Sequence, residues 1–225
     1  GLKELHIDMA QVEGIFISHE HSDHIAGLQQ LLKRFDIPVY TKQGTWREIQ
    51  DKLVVPKNQL IELTKGSLTL GNLIVEPFAV SHDAADPIGI NVFSGNDKAT
   101  VVTDTGIISD DILHRLDDST LLVLEANYDP HMLRFGPYQP FLKQRVASDE
   151  GHLSNEMAAQ ALLMMKRPDF MQVILAHRSE NNNNAVLVTQ TIGKMLVDGG
   201  VRIGPEMKLQ HGQPNEIVSM QSVKR

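Results

Sequence analysis

The sequence predicts a single α/β domain spanning residues 1–225, and three observations predict it. Short runs rich in Val, Ile and Leu recur along the chain, stretches of helical apolar spacing separate them, and an acid or a histidine follows nearly every run. An apolar content of 41% beside 22% charged residues suits a domain with a core of its own.

The elements follow in chain order. "GIFIS" at 14–18 reads as the first strand, and "DHIAGLQQLLKRF" at 23–35 as the helix after it. "LIVEPFAVS" at 73–81, "GINVFS" at 89–94 and "ATVVTDT" at 99–105 read as strands. "SDDILHRL" at 109–116 is a helix with Ser109 as its N-cap. A strand at 120–126, a helix at 154–167, a strand at 171–177 and a helix at 184–196 complete the pattern, and the asparagines at 181–184 cap the last helix. Residues 127–153 show little periodicity and hold Pro130, Gly136, Pro137, Pro140 and Gly151, so they read as a long loop, and such loops in compact domains are usually functional. There is no internal repeat and no linker-like run.

Composition removes several function classes. No stretch approaches the roughly 18 apolar residues that cross a bilayer, and the opening "GLKELHID" has neither a basic nor an apolar leader region, which favours the cytoplasm. Cysteine is absent, so disulfides and thiolate metal sites are excluded and any metal must be held by imidazole and carboxylate. A net charge of -7 disfavours a polyanionic partner unless divalent cations offset it locally, and aromatic residues are only 5%.

The residues at strand ends carry the chemistry. His19, His21, Asp23 and His24 follow the first strand, His82 follows "FAVS", Asp104 and Glu125 end the next runs, and His177 ends "VILA". In α/β sheets ligands gather at strand ends, so these scattered residues are candidates to converge. His19 and His21, two apart on an extended segment, face one side, whereas Asp23 and His24 lie on the turn into a helix and face another. Two ligand sets result, suited to Zn²⁺ or Mn²⁺. His6, His114 and His131 occupy surface positions and His211 a peripheral turn, and all four stay unligated in this reading.

The H-x-H-x-D-H pattern at 19–24, together with "SHDAADP", "TDTG", "LEANYD", "GPYQPFLKQR", "GHLSN" and "LAHRSENNN", resembles the metallo-β-lactamase superfamily, and within it the YycJ/WalJ-like branch of metallohydrolases. The likeness runs from about residue 10 to residue 190 and implies an αββα sandwich. It implies two divalent ions, one held by His19, His21 and His82 and the other by Asp23, His24 and His177, with Asp104 bridging. It further implies a phosphodiesterase, a 5′-to-3′ DNA exonuclease in which a metal-bridging hydroxide attacks phosphorus, Asp23 orients the nucleophile and His152 of "GHLSN" is the general acid. Arg134, Lys143, Arg145 and Arg178 are expected around the pocket, and Ser154 and Asn155 at a helix start are expected to receive a phosphate. DNA is the expected partner; a homo-oligomer is compatible with this reading and a membrane is not. The alternatives are a thioesterase or small-molecule phosphodiesterase on the same scaffold, or a non-catalytic regulatory partner of a two-component system, which would have no need of seven intact ligands. The chain departs from the family pattern in three ways. Only a short segment precedes the "HEHSDH" strand, so the first sheet is expected to lack strands; Tyr128 stands where histidine is expected; and Arg178 stands where leucine is expected.

Overall fold

The computed structural model describes every residue except 1, 3, 65, 214, 215 and 219–225. The chain opens with β1 (Ile15–Phe16), α1 (Ser22–Ile25), α2 (Leu28–Leu32), β2 (Val39–Thr41), α3 (Gln43–Lys52) and β3 (Leu60–Glu62). It continues with β4 (Leu68–Leu70), β5 (Leu73–Ala79), β6 (Ile88–Ser94), β7 (Asp97–Val102), α4 (Asp110–Leu116) and β8 (Leu121–Glu125). After these come α5 (Pro130–Phe135), α6 (Pro140–Val146), α7 (Asn155–Met164), β9 (Met171–Ala176), α8 (Ala185–Asp198) and β10 (Met207–His211).

Two sheets result. β1, β2 and β3 form a small parallel sheet, and β10-β9-β8-β7-β6-β5-β4 form a seven-stranded one, parallel from β10 to β7 and antiparallel beyond. Burial gives the layers. Ile25, Leu28, Leu32, Trp46 and Ile49 from α1 to α3 pack with Ile17 and Val39 of the small sheet. The largest core lies on the outer face of the large sheet, where Leu122, Leu124, Val173 and Leu175 meet Ile112, Leu162, Ile192 and Leu196 from α4, α7 and α8. Tyr40 and Leu63 meet Ile88 between the sheets. This is a helix–sheet–sheet–helix sandwich, as the sequence resemblance implies.

The structure revises several expected elements. The helix expected at 23–35 is two short ones, α1 and α2, parted at Ala26 and Gly27. The loop expected at 127–153 contains α5 and α6. Each starts with a proline at its first turn, where the missing N–H costs nothing, and each runs too few turns to show periodicity. They have a cluster of their own, Tyr128, Leu133 and Val146 with Tyr138 and Leu142 against it. Tyr128 therefore packs in this cluster rather than facing the histidines. Ser109 caps α4 as expected, accepting from Ile112 N, and Asn184 caps α8, accepting from Leu187 N. The neighbouring asparagines do more: Asn183 is buried and donates to Ala126 O at 3.0 Å and Asn155 Oδ1 at 2.8 Å, pinning β8 to α7.

Strand polarity positions the site. β7, β8 and β9 run parallel, and β5, two antiparallel steps from β7, runs with them, so the C-terminal ends of all four lie along one edge. The small sheet joins that edge after β1, where Ile88 N donates to Ser18 O at 3.1 Å and Thr41 Oγ1 to Ile17 O at 2.7 Å.

Candidate metal centre

The loops leaving β1, β5, β7 and β9 bring seven expected ligands together. His19, His21 and His82 offer ligand atoms within 4.8 Å of one another, and so do His19, His24 and Asp104, and Asp23, His24 and His177. Asp104 lies between the sets. Its Oδ2 is 3.3 Å from His24 Nε2, and its Oδ1 is 3.7 Å from His82 Nε2 and 3.5 Å from His177 Nδ1. Asp23 Oδ2 lies 3.7 Å from His24 Nε2 and 3.8 Å from His177 Nε2.

The backbone is held in this shape against its own preference. Asp104 has φ 55° and His177 φ 52°, left-handed values that are unfavourable for a residue with a Cβ and that persist where surrounding bonds over-determine them. Those bonds are present. Asn127 Nδ2 donates to His177 O at 2.8 Å and Ser179 N to Asn127 O at 2.9 Å, while Ser81 N donates to Thr105 Oγ1 at 3.3 Å and Gly106 N to Ser81 O at 2.9 Å.

Ring orientation is equally fixed. The Ser18 hydroxyl lies 3.1 Å from His19 Nδ1 and 3.2 Å from His24 Nδ1, which leaves Nε2 of both rings for the centre. His82 Nδ1 lies 3.0 Å from Gly151 O, so Nδ1 donates there and Nε2 keeps a lone pair. Burial, reinforced by four neighbouring imidazoles, lowers the pKa of His19 to about 2, and burial also lowers that of His82. His19 is therefore neutral, the form a metal ligand needs. His19 Nε2 and Asp104 Oδ2 are buried without a hydrogen-bond partner. A buried lone pair without a proton to accept is costly unless a cation meets it, so the donor set fits divalent ions.

Glu125, seen in the sequence only as a strand terminus, is the organising residue that the candidate set omits. It is fully buried, and its Oε1 accepts from His152 Nδ1 at 2.8 Å and His177 Nδ1 at 2.7 Å. Its Oε2 accepts from Leu153 N at 3.1 Å and Thr105 N at 3.3 Å. Burial alone would raise its pKa, but the two imidazole bonds outweigh burial and hold it at about 2. The same bond and charge raise His177 to about 9 against the opposing effect of its burial. With both oxygens filled, Glu125 orients ligands rather than competing with them. The signal was in the pattern: it ends a buried strand beside two strands that end in candidate ligands.

A cleft of about 330 Å³ opens beside the centre, lined by His152, His177, Arg145, Arg178, Tyr138 and Leu142 among others. Arg145 grips Asp83 through two nitrogens, and Asp83 Oδ1 in turn lies 3.4 Å from His82 Nε2. Burial would raise the Asp83 carboxyl, but Arg145 holds it below the usual range. Arg178 Nη1 is buried with no partner. Arg134 and Lys143 sit further out, where Lys143 Nζ donates to Arg134 O at 2.9 Å. Two residues expected to receive a phosphate lie buried. Ser154 is buried and its hydroxyl is committed to Met157 N as the cap of α7, and Asn155 is fully buried with its amide paired to Asn183. Both side chains are turned inward, away from solvent. His114 pairs with Asp117, His131 packs on Phe135 and His211 bonds Thr189, so all three stand apart from the ligand sets, as does His6.

The chain is similar to known proteins along most of its length. A family model described as a beta-lactamase superfamily domain matches residues 2–177. The exodeoxyribonuclease YycJ of Bacillus anthracis is 34% identical over 223 residues, 98% of this chain and 84% of that protein. The exodeoxyribonuclease WalJ of Streptococcus pneumoniae is 31% identical over 219 residues, 95% of this chain and 81% of that protein. Among solved structures, the metallo-beta-lactamase fold protein YhfI of Bacillus subtilis has a TM-score of 0.64 at 15% identity, covering 89% of this chain and 75% of its own.

Proposed function

Because the chain belongs to the beta-lactamase superfamily and is a hydrolase of the metallo-β-lactamase fold, we propose that it is a dinuclear metal-dependent phosphodiesterase, a 5′-to-3′ exonuclease acting on DNA. The observation that carries this reading is Asp104, whose carboxylate lies within 3.7 Å of ring nitrogens from both histidine sets, His82 of one and His24 and His177 of the other. The two exodeoxyribonuclease relatives supply the substrate class.

His19, His21 and His82 would hold one ion and Asp23, His24 and His177 the other, with Asp104 shared between them. The ions would supply a strongly acidified water and neutralise charge on the phosphoryl oxygens. Asp23, 66% exposed at its side chain, reaches toward solvent and is placed to orient that water. His152 has Nδ1 committed to Glu125, which leaves Nε2 to deliver a proton to the departing sugar oxygen. Glu125 fixes that tautomer and the one His177 needs in order to ligate through Nε2. Arg145, neutralised by Asp83, rigidifies the cleft wall more than it adds charge there.

Turnover of duplex and single-stranded DNA carrying a 5′ phosphate and a label at one or the other end tests the reading, with Zn²⁺ and Mn²⁺ each supplied. Early release of labelled mononucleotide from the 5′ end only, abolished by Asp104→Asn, is the expected result. Ready hydrolysis of a thioester with every nucleic acid left intact would overturn it.

A further inference from the structure

The α5–α6 excursion presents two aromatic rings to solvent beside the cleft. Phe135, the last residue of α5, is 67% exposed, and Phe141, near the start of α6, is 72% exposed. The excursion's own cluster of Tyr128, Leu133 and Val146 leaves both rings outside it. Large aromatics in water give up burial worth about 1.5–3 kcal/mol each, so a pair of them on one short excursion calls for a ligand.

Their neighbours are cationic. The guanidinium of Arg134 lies 5.4 Å from the Phe135 ring centre, and Lys143, bonded to Arg134 O, brings an ammonium to the same end of α5. Phe141 stands four residues before Arg145 and so shares its face of α6, and Arg145 lines the cleft. Phe141 thus stands on the helix face that reaches the cleft. Residues 130–148 contain Arg134, Lys143 and Arg145 and no Asp or Glu, within a chain of net charge -7.

We propose that α5 and α6 form a stacking platform for unpaired nucleotides of single-stranded DNA, with Phe135 and Phe141 taking the bases and Arg134 and Lys143 the phosphates. The platform rests on the exonuclease reading for the identity of the polymer. Aromatic faces beside cations suit a strand with exposed bases, since every base has a π-face to stack and every linkage a charge to neutralise. A protein partner or a second copy would use the rings but gives no reason for Arg134 and Lys143 beside them.

The test pairs binding with turnover. Single-stranded DNA binding is read by fluorescence anisotropy in an Asp104→Asn background, and KM and kcat are read in otherwise native protein on the same oligonucleotide and on bis(p-nitrophenyl) phosphate. Phe135→Ala with Phe141→Ala is expected to raise the Kd and KM for the oligonucleotide about tenfold or more. It should leave kcat, the small diester and thermal stability unchanged, and Phe→Trp at both positions should retain binding. An oligonucleotide with abasic positions should bind the native protein as weakly as normal DNA binds the double variant. An unchanged Kd and KM in the double variant overturns the platform even if DNA is degraded. So does conversion of a dimer to monomer with DNA affinity intact, which makes the rings a contact between copies. Ring-dependent DNA binding with no cleavage leaves the platform standing and removes the exonuclease reading instead.

Discussion

His152 and Glu125 separate two roles that a histidine-rich site tends to merge. His152 lines the cleft and has one nitrogen free, so its effect should follow the leaving group. His152→Ala is expected to slow DNA cleavage roughly 10²- to 10⁴-fold, to spare a nitrophenyl ester that needs no proton, and to leave metal content unchanged. Equal loss of both activities, or a lost ion by elemental analysis, makes His152 a ligand or a structural residue. Glu125 never meets substrate. In Glu125→Gln the amide brings a donor where only acceptors fit, since all four groups facing it are N–H donors. Metal affinity or activity is expected to fall about 10- to 100-fold, with metal affinity falling even when no substrate is present. An unchanged affinity in isothermal titration sinks the positioning role. The candidate ligands were legible in the sequence because histidine and aspartate at strand ends have few other reasons to be there. Glu125 was not, because its work is done on rings 27 and 52 residues downstream and shows only when both point at one oxygen. Ser154 and Asn155 were read from their place at a helix start, which does not show that both are buried there.

At the level of elements, strands were readable where an apolar run marks them, and unreadable where none does. The expected strands correspond to β1 and β5 to β9, but β2, β3, β4 and β10 are only three to five residues each and lack a clear alternation. Their identity comes from pairing, a non-local property. The excursion from β8 to α7 packs on the site through two glycines. A Cβ on Gly106 would come within 2.3 Å of backbone atoms of Ser148 and Asp149, and one on Gly151 within 2.3 Å of the carbonyls of Arg145 and Val146. Backbone cannot yield as a side-chain tip can. Gly151 also supplies the carbonyl that fixes His82. Gly151→Ala is therefore expected to destabilise by about 1–3 kcal/mol and to weaken metal binding at the His82 set. A control, Gly27→Ala, meets nothing within 4 Å and should leave metal binding intact. Equal metal affinity for the two variants in a chelator competition refutes the link between that loop and the centre.

For the whole molecule, the centre lies on the seam between two sheets whose mutual contact is slight. The small sheet's core and the large sheet's core are separate, and the cluster joining them holds only Tyr40, Leu63 and Ile88 with four flanking apolar residues. His19, His21, Asp23 and His24 enter the site from the small-sheet side, while His82, Asp104 and His177 enter from the large sheet. Ions bound there would cross-link the two halves. They would also relieve the buried lone pairs of His19 Nε2 and Asp104 Oδ2, a relief the unfolded chain does not need. Ligands that bind only the folded state stabilise it in proportion to the logarithm of their concentration over Kd, about 4 kcal/mol at a thousandfold excess over Kd. For a chain of this length that corresponds to a Tm higher by roughly 8–16 °C. Removing metal with a chelator should lower Tm by that order, and restoring Zn²⁺ or Mn²⁺ should recover it with a stoichiometry of two per chain. Asp104→Asn should blunt the metal-induced rise because it loses the carboxylate that both sets share. A Tm indifferent to chelation, or one ion sufficing for the full rise, rules out two ions acting as the clasp between the sheets.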